Sequence, residues 1–227
     1  MRPYRLFALA LPLLASAPTT PAQQAIEPVP LSPTVKQPAR AAAPSPAAQA
    51  WVHRHLGTWP LGTQKVAADL ITEYGPPAGS TSRELLWYDN GPWKRTVLHK
   101  TGPQHNFPLP HLDILEQTVN YRVPPEKVPD LLNYDGSIVV DRTRGELSVH
   151  CDSEQQNILT LNLANDILTG ERTVDQALAY HAQVIRGLQT HDTESYPFAL
   201  RFKPQPSSAT ADPGEEAELL RHLGSPQ

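Results

Sequence analysis

The chain has 227 residues, 25 of them proline, and a formal net charge of −4 at pH 7. This near balance of charges argues against a basic surface for nucleic acid, and we expect no nucleic-acid partner. Cys151 is the only cysteine, which excludes an intramolecular disulfide. The sequence contains no Rossmann glycine pattern and no phosphate-binding loop, and we predict no cofactor.

Residues 1–22 have the pattern of a secretory signal peptide. Arg2 and Arg5 precede an apolar run over residues 6–17, and small residues and prolines follow as far as Ala22. The run is too short to span a hydrocarbon core of about 30 Å, and a proline interrupts it. We therefore predict cleavage after Ala22, a secreted or periplasmic protein, and no transmembrane segment after cleavage. An uncleaved membrane anchor is the alternative.

Composition divides the rest of the chain into three parts. Residues 23–50 are rich in proline and alanine and have few large apolar side chains, so we predict a disordered, partly extended linker. Residues 51–203 are long enough for a single domain with one core. Residues 204–227 resemble the linker in composition, and we predict a disordered tail in which residues 215–223 suit a short helix.

The first predicted element of the domain is a helix. Apolar side chains recur at helical spacing between Val66 and Tyr74. Thr63 precedes this run and is expected to cap the helix, and Gly75 with the two prolines after it is expected to end it.

A β-hairpin is expected next. Residues 84–89 and 93–99 are rich in aromatic and β-branched side chains, and the Asn90-Gly91 pair between them is typical of a hairpin turn. Pro92 stands at the start of the second strand. Because proline cannot donate to a strand ladder, we expect this strand at an edge of the sheet.

A further strand, a short helix and a second hairpin follow. Residues 115–123 alternate apolar and polar side chains as a strand does, although the apolar spacing near their start also suits a helix. Pro125 fits the first turn of a short helix. Residues 138–141 and 147–151 are expected to pair across the turn formed by residues 142–146.

The carboxyl-terminal part is predicted to be a helix pair. Ser153 with Gln156 has the spacing of a capping box, and Gly170 suits the end of the helix that follows. Thr173 with Gln176 repeats the box before a second amphipathic helix. The predicted fold is therefore α+β, an antiparallel sheet of about five strands, including two β-hairpins, with helices on one face and a C-terminal helix pair.

Two resemblances follow from these segments. The first is carried by NGPWKRT at residues 90–96, PHLDILEQ at 110–117, RTRGE at 142–146 and LNLANDI at 161–167. Over residues 66–185 the chain resembles an uncharacterised family of exported bacterial proteins, which implies secretion and one domain but carries over no site residue. The predicted helix, the Tyr-Gly-Pro-Pro segment at 74–77 and the tryptophan-containing hairpin are similar to BamE-type envelope proteins, which implies contact with other proteins.

Imidazole and carboxylate groups are concentrated in one short stretch. The candidate metal ligands are His105, His111, Asp113 and Glu116. His99 and His150 are able to approach them from neighbouring strands if the hairpins pack side by side. A divalent transition metal accepts such a donor set, but the spacing matches no established zinc signature. Surface or hydrogen-bonding histidines are the alternative, as is a pH-responsive or acid–base role.

Two other groups of residues are candidates for catalysis or for anion binding. His150 and Cys151 are adjacent in a predicted strand, so their side chains point to opposite faces and a direct dyad is disfavoured. We expect Cys151 to be a buried, inert thiol. Arg142 and Arg144 in the second hairpin turn are candidates for binding a carboxylate or phosphate, and cross-strand ion pairs at an exposed turn are the alternative.

Aromatic residues give the leading functional hypothesis. Trp87, Tyr88 and Trp93 are the candidate binding residues, because helices cover only one face of a single sheet and the other face is left for a partner. Packing in the core, the usual role of aromatic side chains on a sheet, is the alternative. We predict a non-enzymatic exported binding or envelope-assembly protein whose partner is an envelope protein, a peptide or a glycan. The alternative is a metal-dependent hydrolase or metal-binding protein that uses the histidine and carboxylate cluster, and a purely structural envelope protein is a third reading. The sequence does not determine the oligomeric state.

Overall fold

The computed structural model describes residues 44–189 and 196–206. The predicted signal peptide, most of the predicted linker and the tail beyond residue 206 lie outside these residues. Within them, five helices accompany an antiparallel sheet of six strands and a separate pair of short strands. The predicted α+β class and the C-terminal helix pair are confirmed.

The elements have the following bounds. The helices are α1 (Pro46–His55), α2 (Leu61–Tyr74), α3 (Val128–Tyr134), α4 (Glu154–Thr169) and α5 (Val174–Gln189), with a 3-10 turn (Pro125–Lys127) before α3. The strands are β1 (Gly79–Ser80), β2 (Glu84–Asn90), β3 (Trp93–His99), β4 (Gln104–His105), β5 (His111–Leu112), β6 (Leu115–Asn120), β7 (Val139–Asp141) and β8 (Glu146–Cys151). None of these described helices has the length and apolarity needed to cross a bilayer.

The main sheet has the strand order β1-β2-β3-β6-β8-β7, with every neighbouring pair antiparallel. Both predicted hairpins are present, as β2 with β3 and as β7 with β8. In the centre of the sheet, Leu115 of β6 lies opposite both Leu98 of β3 and Cys151 of β8. β4 and β5 pair with each other immediately before β6. The sixth strand is the short β1, which pairs with the outer side of β2.

The helices bury one face of the sheet, as predicted. The sheet side chains that join the two apolar cores alternate along their strands and therefore share that face: Leu85, Trp87, Leu98, Leu115, Val119, Leu147 and Val149. One core joins α1 and α2 to the β2 side of the sheet, and the other joins α3, α4 and α5 to the β8 side. Each fully buried leucine contributes about 1.5 to 3 kcal/mol to the free energy of unfolding.

The opposite face of the sheet is polar, and we call it the open face. Arg95 lies 3.2 Å from Glu116 and 3.4 Å from Glu146, and Lys94 lies 2.7 Å from Glu146. The hydroxyl groups of Thr118 and Ser148 are 2.8 Å apart in the middle of this face. Charged and hydroxyl side chains, not aromatic ones, therefore dominate the open face.

The first hairpin differs from expectation at its turn. Asn90 remains in β2, and Gly91, with φ of 62°, and Pro92 form the turn. β3 lies between β2 and β6, so the predicted edge position is wrong. Pro92 is tolerated because it stands outside the ladder, where no N–H is required. Asp89, with φ of 48°, interrupts the strand alternation, and Trp93 consequently joins the covered side of the sheet.

Helix α2 begins before its predicted cap. Its N-cap is Pro60, which makes no side-chain cap hydrogen bond, whereas Thr63 lies inside the helix and is buried. The Thr63 hydroxyl donates instead to the carbonyl oxygen of Lys100, at 3.1 Å. The predicted end at Gly75 is confirmed, since its N–H donates to the carbonyl oxygen of Ile71.

Only one of the two predicted capping boxes forms. Thr173 and Gln176 exchange side-chain-to-backbone hydrogen bonds of 2.9 and 3.2 Å. Ser153 is the N-cap of α4 but makes no side-chain cap hydrogen bond, so the first box is wrong. The predicted stop at Gly170 is confirmed by its left-handed conformation, with φ of 80°.

The capping box is absent at the start of α4, and the Glu154 carboxylate forms the hydrogen bonds that attach this end of the helix to other elements. Its carboxylate accepts hydrogen bonds from Tyr74 Oη at 2.6 Å, from Trp93 Nε1 and from Gln117 Nε2 at 3.2 Å. Burial, and then the Glu154 charge, raise the pKa of Tyr74 above its usual range. One carboxylate thus ties α2, β3 and β6 to the start of α4.

Polar residues of the LNLANDI segment hold the chain that follows α5. Asn162 donates to the carbonyl oxygens of Tyr196 and Ala199, both at 2.8 Å. Asp166 accepts from the Tyr196 hydroxyl at 2.8 Å and pairs with Arg172. These polar side chains of α4 therefore serve the packing of the chain, which explains the presence of asparagine and aspartate on a buried helix.

The described domain begins earlier than the predicted boundary at Trp51. α1 starts at Pro46, Ser45 caps it, and Ala48 is buried in the core. The sequence did not predict this helix, because the small side chains of an alanine-rich stretch show no apolar periodicity. The Ser45-Pro46 pair is nevertheless typical of a helix start. At the other end, the Gln205 N–H donates to the carbonyl oxygen of Asn120 at 2.8 Å, so chain beyond the predicted boundary at residue 203 also contacts the domain.

Candidate metal centre

The short strands β4 and β5 bring two candidate ligands together. His105 and His111 are directly opposite each other in this antiparallel pair, so their side chains share a face. Asp113 follows immediately, and its N–H donates to the carbonyl oxygen of Pro103 at 3.0 Å. The loop from β3 to β6 thereby presents two imidazoles and one carboxylate at the end of the main sheet.

The distances among these three groups match those of ligands around one ion. Asp113 Oδ1 lies 3.2 Å from His111 Nε2 and 3.4 Å from His105 Nδ1. The three ligand atoms all lie within 4.8 Å of one another. Tetrahedral ligands at about 2.0 Å from zinc are about 3.3 Å apart, so the two separations from Asp113 Oδ1 are compatible with ligands on one ion.

The ring nitrogen of His111 that points away from Asp113, Nδ1, has a hydrogen-bond partner of the kind found in metal sites. His111 Nδ1 is 2.8 Å from the carbonyl oxygen of Leu109. A carbonyl oxygen only accepts, so Nδ1 carries a proton and Nε2 is the nitrogen that faces Asp113. Metal-binding histidines usually donate their second N–H to a carbonyl or carboxylate in this way, which fixes the tautomer.

His105 has a comparable outer partner. Its Nε2 lies 3.9 Å from Asp135 Oδ1, and Asp135 accepts from the N–H and the hydroxyl of Ser137, at 2.8 and 2.7 Å. This distance exceeds that of a direct hydrogen bond. The Asp135 carboxylate nevertheless lies on the side of the ring opposite to Asp113, where a second-layer acceptor is expected.

Two of the inward-facing atoms are buried without a hydrogen bond. These are His105 Nδ1 and Asp113 Oδ1. Burial raises the pKa of Asp113 above its usual range, and the two histidines offset this only in part. The two atoms face each other at 3.4 Å as an ion pair without hydrogen-bond geometry, and a cation between them would give both a closer partner.

Cys151 contacts the cluster. Its Sγ lies 3.3 Å from His111 Nε2, and the thiol is buried, as predicted. Burial raises the pKa of Cys151 well above its usual range, so the thiol is protonated in the absence of a metal. His150 does point to the opposite face of the sheet, as expected, and His111 from another strand takes its place beside the sulfur. Cys151 is nonetheless outside the group of three residues whose ligand atoms converge.

An open cleft reaches His111. It has a volume of about 410 Å³ and lies between the loop before β5 and the start of α4. Its lining residues are Pro108, Leu109, Pro110, His111, Asp152, Gln155, Gln156 and Ile185. Oε1 of Gln156 is buried there without a hydrogen-bond partner. A molecule in the cleft therefore meets His111, one ligand of the cluster.

Glu116 does not join this cluster, which corrects the predicted set of four. It lies on β6, on the open face, where its ligand atom converges with those of His99 and His150. Asp113 precedes the strand and turns toward β4 and β5. The sequence signal for this separation is strand alternation, which places Glu116 on the face opposite to its neighbours Leu115 and Gln117.

The predicted aromatic surface is not formed as expected. Trp87 and Trp93 are buried, at 3% and 1% exposure, under the helices. Their indole N–H groups donate to the carbonyl oxygen of Gly75 and to Glu154. Tyr88, at 57% exposure, is the one member of the predicted set on the surface. The two tryptophans contribute to the core and not to a contact surface, because β2 and β3 turn both indoles toward α2 and α4.

The predicted arginine pair is placed at the turn between β7 and β8. Arg144 is exposed, and its Nε lies 3.7 Å from Asp141 Oδ2. Arg142 is partly buried. An exposed pair of this kind contributes at most about 1 kcal/mol to the free energy of unfolding, and its carboxylate partner competes with any added anion.

Comparisons with protein-family models, with curated proteins and with solved structures found no match.

Proposed function

We propose that this domain binds a divalent transition-metal ion through His105 Nδ1, His111 Nε2 and Asp113 Oδ1. The observation that carries the proposal is the convergence of these three atoms, two of them buried without a hydrogen bond, at two separations compatible with ligands on one ion. A cation between them would give the buried nitrogen and oxygen closer partners than their ion pair provides.

The donor set favours zinc. Two imidazole nitrogens and one carboxylate oxygen suit zinc and other late first-row ions, whereas magnesium and calcium prefer all-oxygen sites. Among these ions zinc has no redox chemistry and prefers tetrahedral coordination. The two distances from Asp113 Oδ1 to the histidine nitrogens are compatible with that geometry.

Hydrolysis is the activity that the site supports best. Structural zinc sites have four protein ligands, whereas catalytic sites have three and leave a position for water or substrate. Here three ligands converge, and one of them, His111, lines an open cleft. A zinc ion in such a position lowers the pKa of bound water to about 7 and so supplies a nucleophile. Asp152 and Gln156 line the cleft and are the candidates for contacting a substrate.

Elemental analysis and thermal melts of the untagged chain test this proposal. We expect bound zinc in the wild type and the loss of one equivalent in His105→Ala and in His111→Ala. His53→Ala is the matched control, because His53 is an exposed histidine on α1 that belongs to neither cluster. Zinc at one hundred times its dissociation constant is expected to add about 2.7 kcal/mol to the free energy of unfolding. A wild type that neither holds zinc nor gains stability from it overturns the proposal.

The hydrolytic part has a separate test. The zinc-loaded chain is assayed against a panel of activated esters, phosphoesters and amides, beside the chelated chain and the Asp113→Asn variant. Activity that follows zinc content in all three supports hydrolysis. A zinc-loaded chain that is inactive on the whole panel leaves metal binding intact and counts against the hydrolase reading.

The exported location belongs to the same proposal. It is supported by the basic and apolar pattern of residues 1–22 and by the resemblance to exported bacterial proteins. Cell fractionation with detection of the mature amino terminus tests it, and a chain that begins at Met1 in the cytoplasm contradicts it.

A further inference from the structure

We infer that the open face of the sheet carries a second transition-metal site, formed by His99, Glu116 and His150. The three residues lie on β3, β6 and β8, which are neighbours in the sheet. Glu116 is directly opposite His150, and His99 is the last residue of β3, next to the pair formed by Leu98 and Leu115. Their ligand atoms lie within 4.8 Å of one another.

The outer partners of both histidines leave their inner nitrogens directed at Glu116. His150 Nδ1 lies 3.0 Å from the carbonyl oxygen of Ser137 and must donate to it. His150 Nε2 then faces Glu116 Oε2 at 3.4 Å, where a proton on Nε2 forms an ion pair and a metal ion would replace that proton. His99 Nδ1 is 3.3 Å from Glu84, and its Nε2 is 3.8 Å from the same Glu116 oxygen.

The surrounding charges accept a cation here. Arg95 occupies Glu116 Oε1 at 3.2 Å and leaves Oε2 for the two histidines. Lys94 and Arg95 also pair with Glu146. Three carboxylates, with Glu84 included, therefore face two fixed positive charges in this part of the open face. The local balance is negative before any ion binds.

The exposure of the three ligands and the identity of their donor atoms indicate which ion binds and how it reaches the site. The side chains of His99, Glu116 and His150 are 28%, 19% and 24% exposed, so an ion reaches them directly from solvent. Two nitrogens and one carboxylate oxygen select zinc, copper or nickel over magnesium and calcium. Because protons compete for the same nitrogens, binding is expected to be strongest above neutral pH.

The second site is independent of the first in its ligands. The two clusters share no residue, although Ser137 connects them: its carbonyl oxygen accepts from His150, and its N–H and hydroxyl donate to Asp135 beside His105. The inference goes beyond the proposed function and fails or succeeds without it.

Zinc stoichiometry of single and double variants tests the inference. The untagged chain is freed of metal, titrated with zinc at about pH 8, where histidine is neutral, and measured by calorimetry and elemental analysis. We expect two equivalents in the wild type, one in His150→Ala, one in His105→Ala and none in the double variant. Glu116→Gln, which keeps the shape of the side chain, should bind one equivalent.

The outcomes separate the two sites. A wild type that binds one equivalent, lost in His105→Ala and retained in His150→Ala, overturns the second site and keeps the first. One equivalent that survives in His105→Ala but is lost in His150→Ala supports the second site and rejects the first. His99→Ala repeats the test at the end of β3 if His150→Ala fails to fold, and full binding by a folded His99→Ala and Glu116→Gln also overturns the inference.

Discussion

Gly102 lies so close to Asp113 that a Cβ atom at residue 102 would overlap the carbonyl oxygen and carbon of Asp113. The Asp113 N–H is fixed at the same time by the carbonyl oxygen of Pro103. A glycine is therefore needed where the loop after β3 passes the ligand-bearing loop before β6. The close approach sets the position of the Asp113 carboxylate.

Gly102→Ala is expected to move the Asp113 backbone and weaken zinc binding at the first site by at least tenfold. A displacement of a few tenths of an ångström is enough to spoil ligand geometry, because distances in metal sites are held within about 0.2 Å. Calorimetry of zinc binding measures the change. Gly136→Ala is the control, because a Cβ at Gly136 meets no atom within 4 Å. Equal zinc affinity in both variants would show that the close approach has no part in the site.

Cys151→Ser is expected to change the zinc affinity by less than about threefold. The sulfur contacts His111 Nε2 but lies outside the converging group, so serine removes a neighbour and not a ligand. A loss of a hundredfold or more would identify Cys151 as a fourth ligand. The site would then be closed and structural, and the hydrolytic proposal would fail.

Glu154→Ala is expected to lower the free energy of unfolding by about 3 kcal/mol or more. The change leaves Tyr74, Trp93 and Gln117 without their shared acceptor, and each buried unpaired group costs about 1 to 3 kcal/mol. Urea denaturation measures the loss. Glu126→Ala, at an exposed position of the 3-10 turn, is the control and should change the free energy by less than about 0.5 kcal/mol.

His181 makes the metal-free domain sensitive to acid. Burial, and then the charges of His111 and His105, lower the pKa of His181 from 6.5 to about 3. Between these values the unfolded chain binds a proton that the folded chain does not, so stability falls as the pH falls. The expected slope from this residue is about 1.4 kcal/mol per pH unit.

Urea titrations of the chelated chain between about pH 7 and 4 measure this slope, for the wild type and for His181→Gln. Glutamine keeps a partner for the Tyr134 hydroxyl, which lies 3.0 Å from His181 Nδ1, but does not titrate. The unfolded chain binds more protons than the folded chain in this pH range. In His181→Gln that difference should be smaller than in the wild type by close to one proton. An unchanged pH dependence would mean that His181 titrates alike in both states.

Much of the fold follows from local sequence patterns. Gly75, Gly170 and the Thr173 box each acted as a local pattern predicts, because helix caps depend on a few neighbouring residues. Thr63 and Ser153 failed as caps because tertiary contacts compete with local ones. Thr63 donates to Lys100, and Glu154 beside Ser153 serves three donors from other elements.

The candidate site was predictable in its residues but not in its grouping. The crowding of His105, His111 and Asp113 is visible in the sequence. The division between this cluster and the one that contains Glu116 depends on the pairing of β4 with β5. The prolines at 108 and 110, between these strands, do not predict that pairing. Trp87 and Trp93 show the same limit, because alternation gives two faces for a strand and does not say which face the helices cover.

Anomalous X-ray diffraction at the zinc absorption edge, on crystals of the zinc-loaded chain, locates the bound ion. We expect a peak about 2.0 to 2.2 Å from His105 Nδ1, His111 Nε2 and Asp113 Oδ1 together, with a fourth position open to the cleft. Zinc-loaded crystals with no peak among these three atoms, in which His105 and His111 make hydrogen bonds instead, would contradict it.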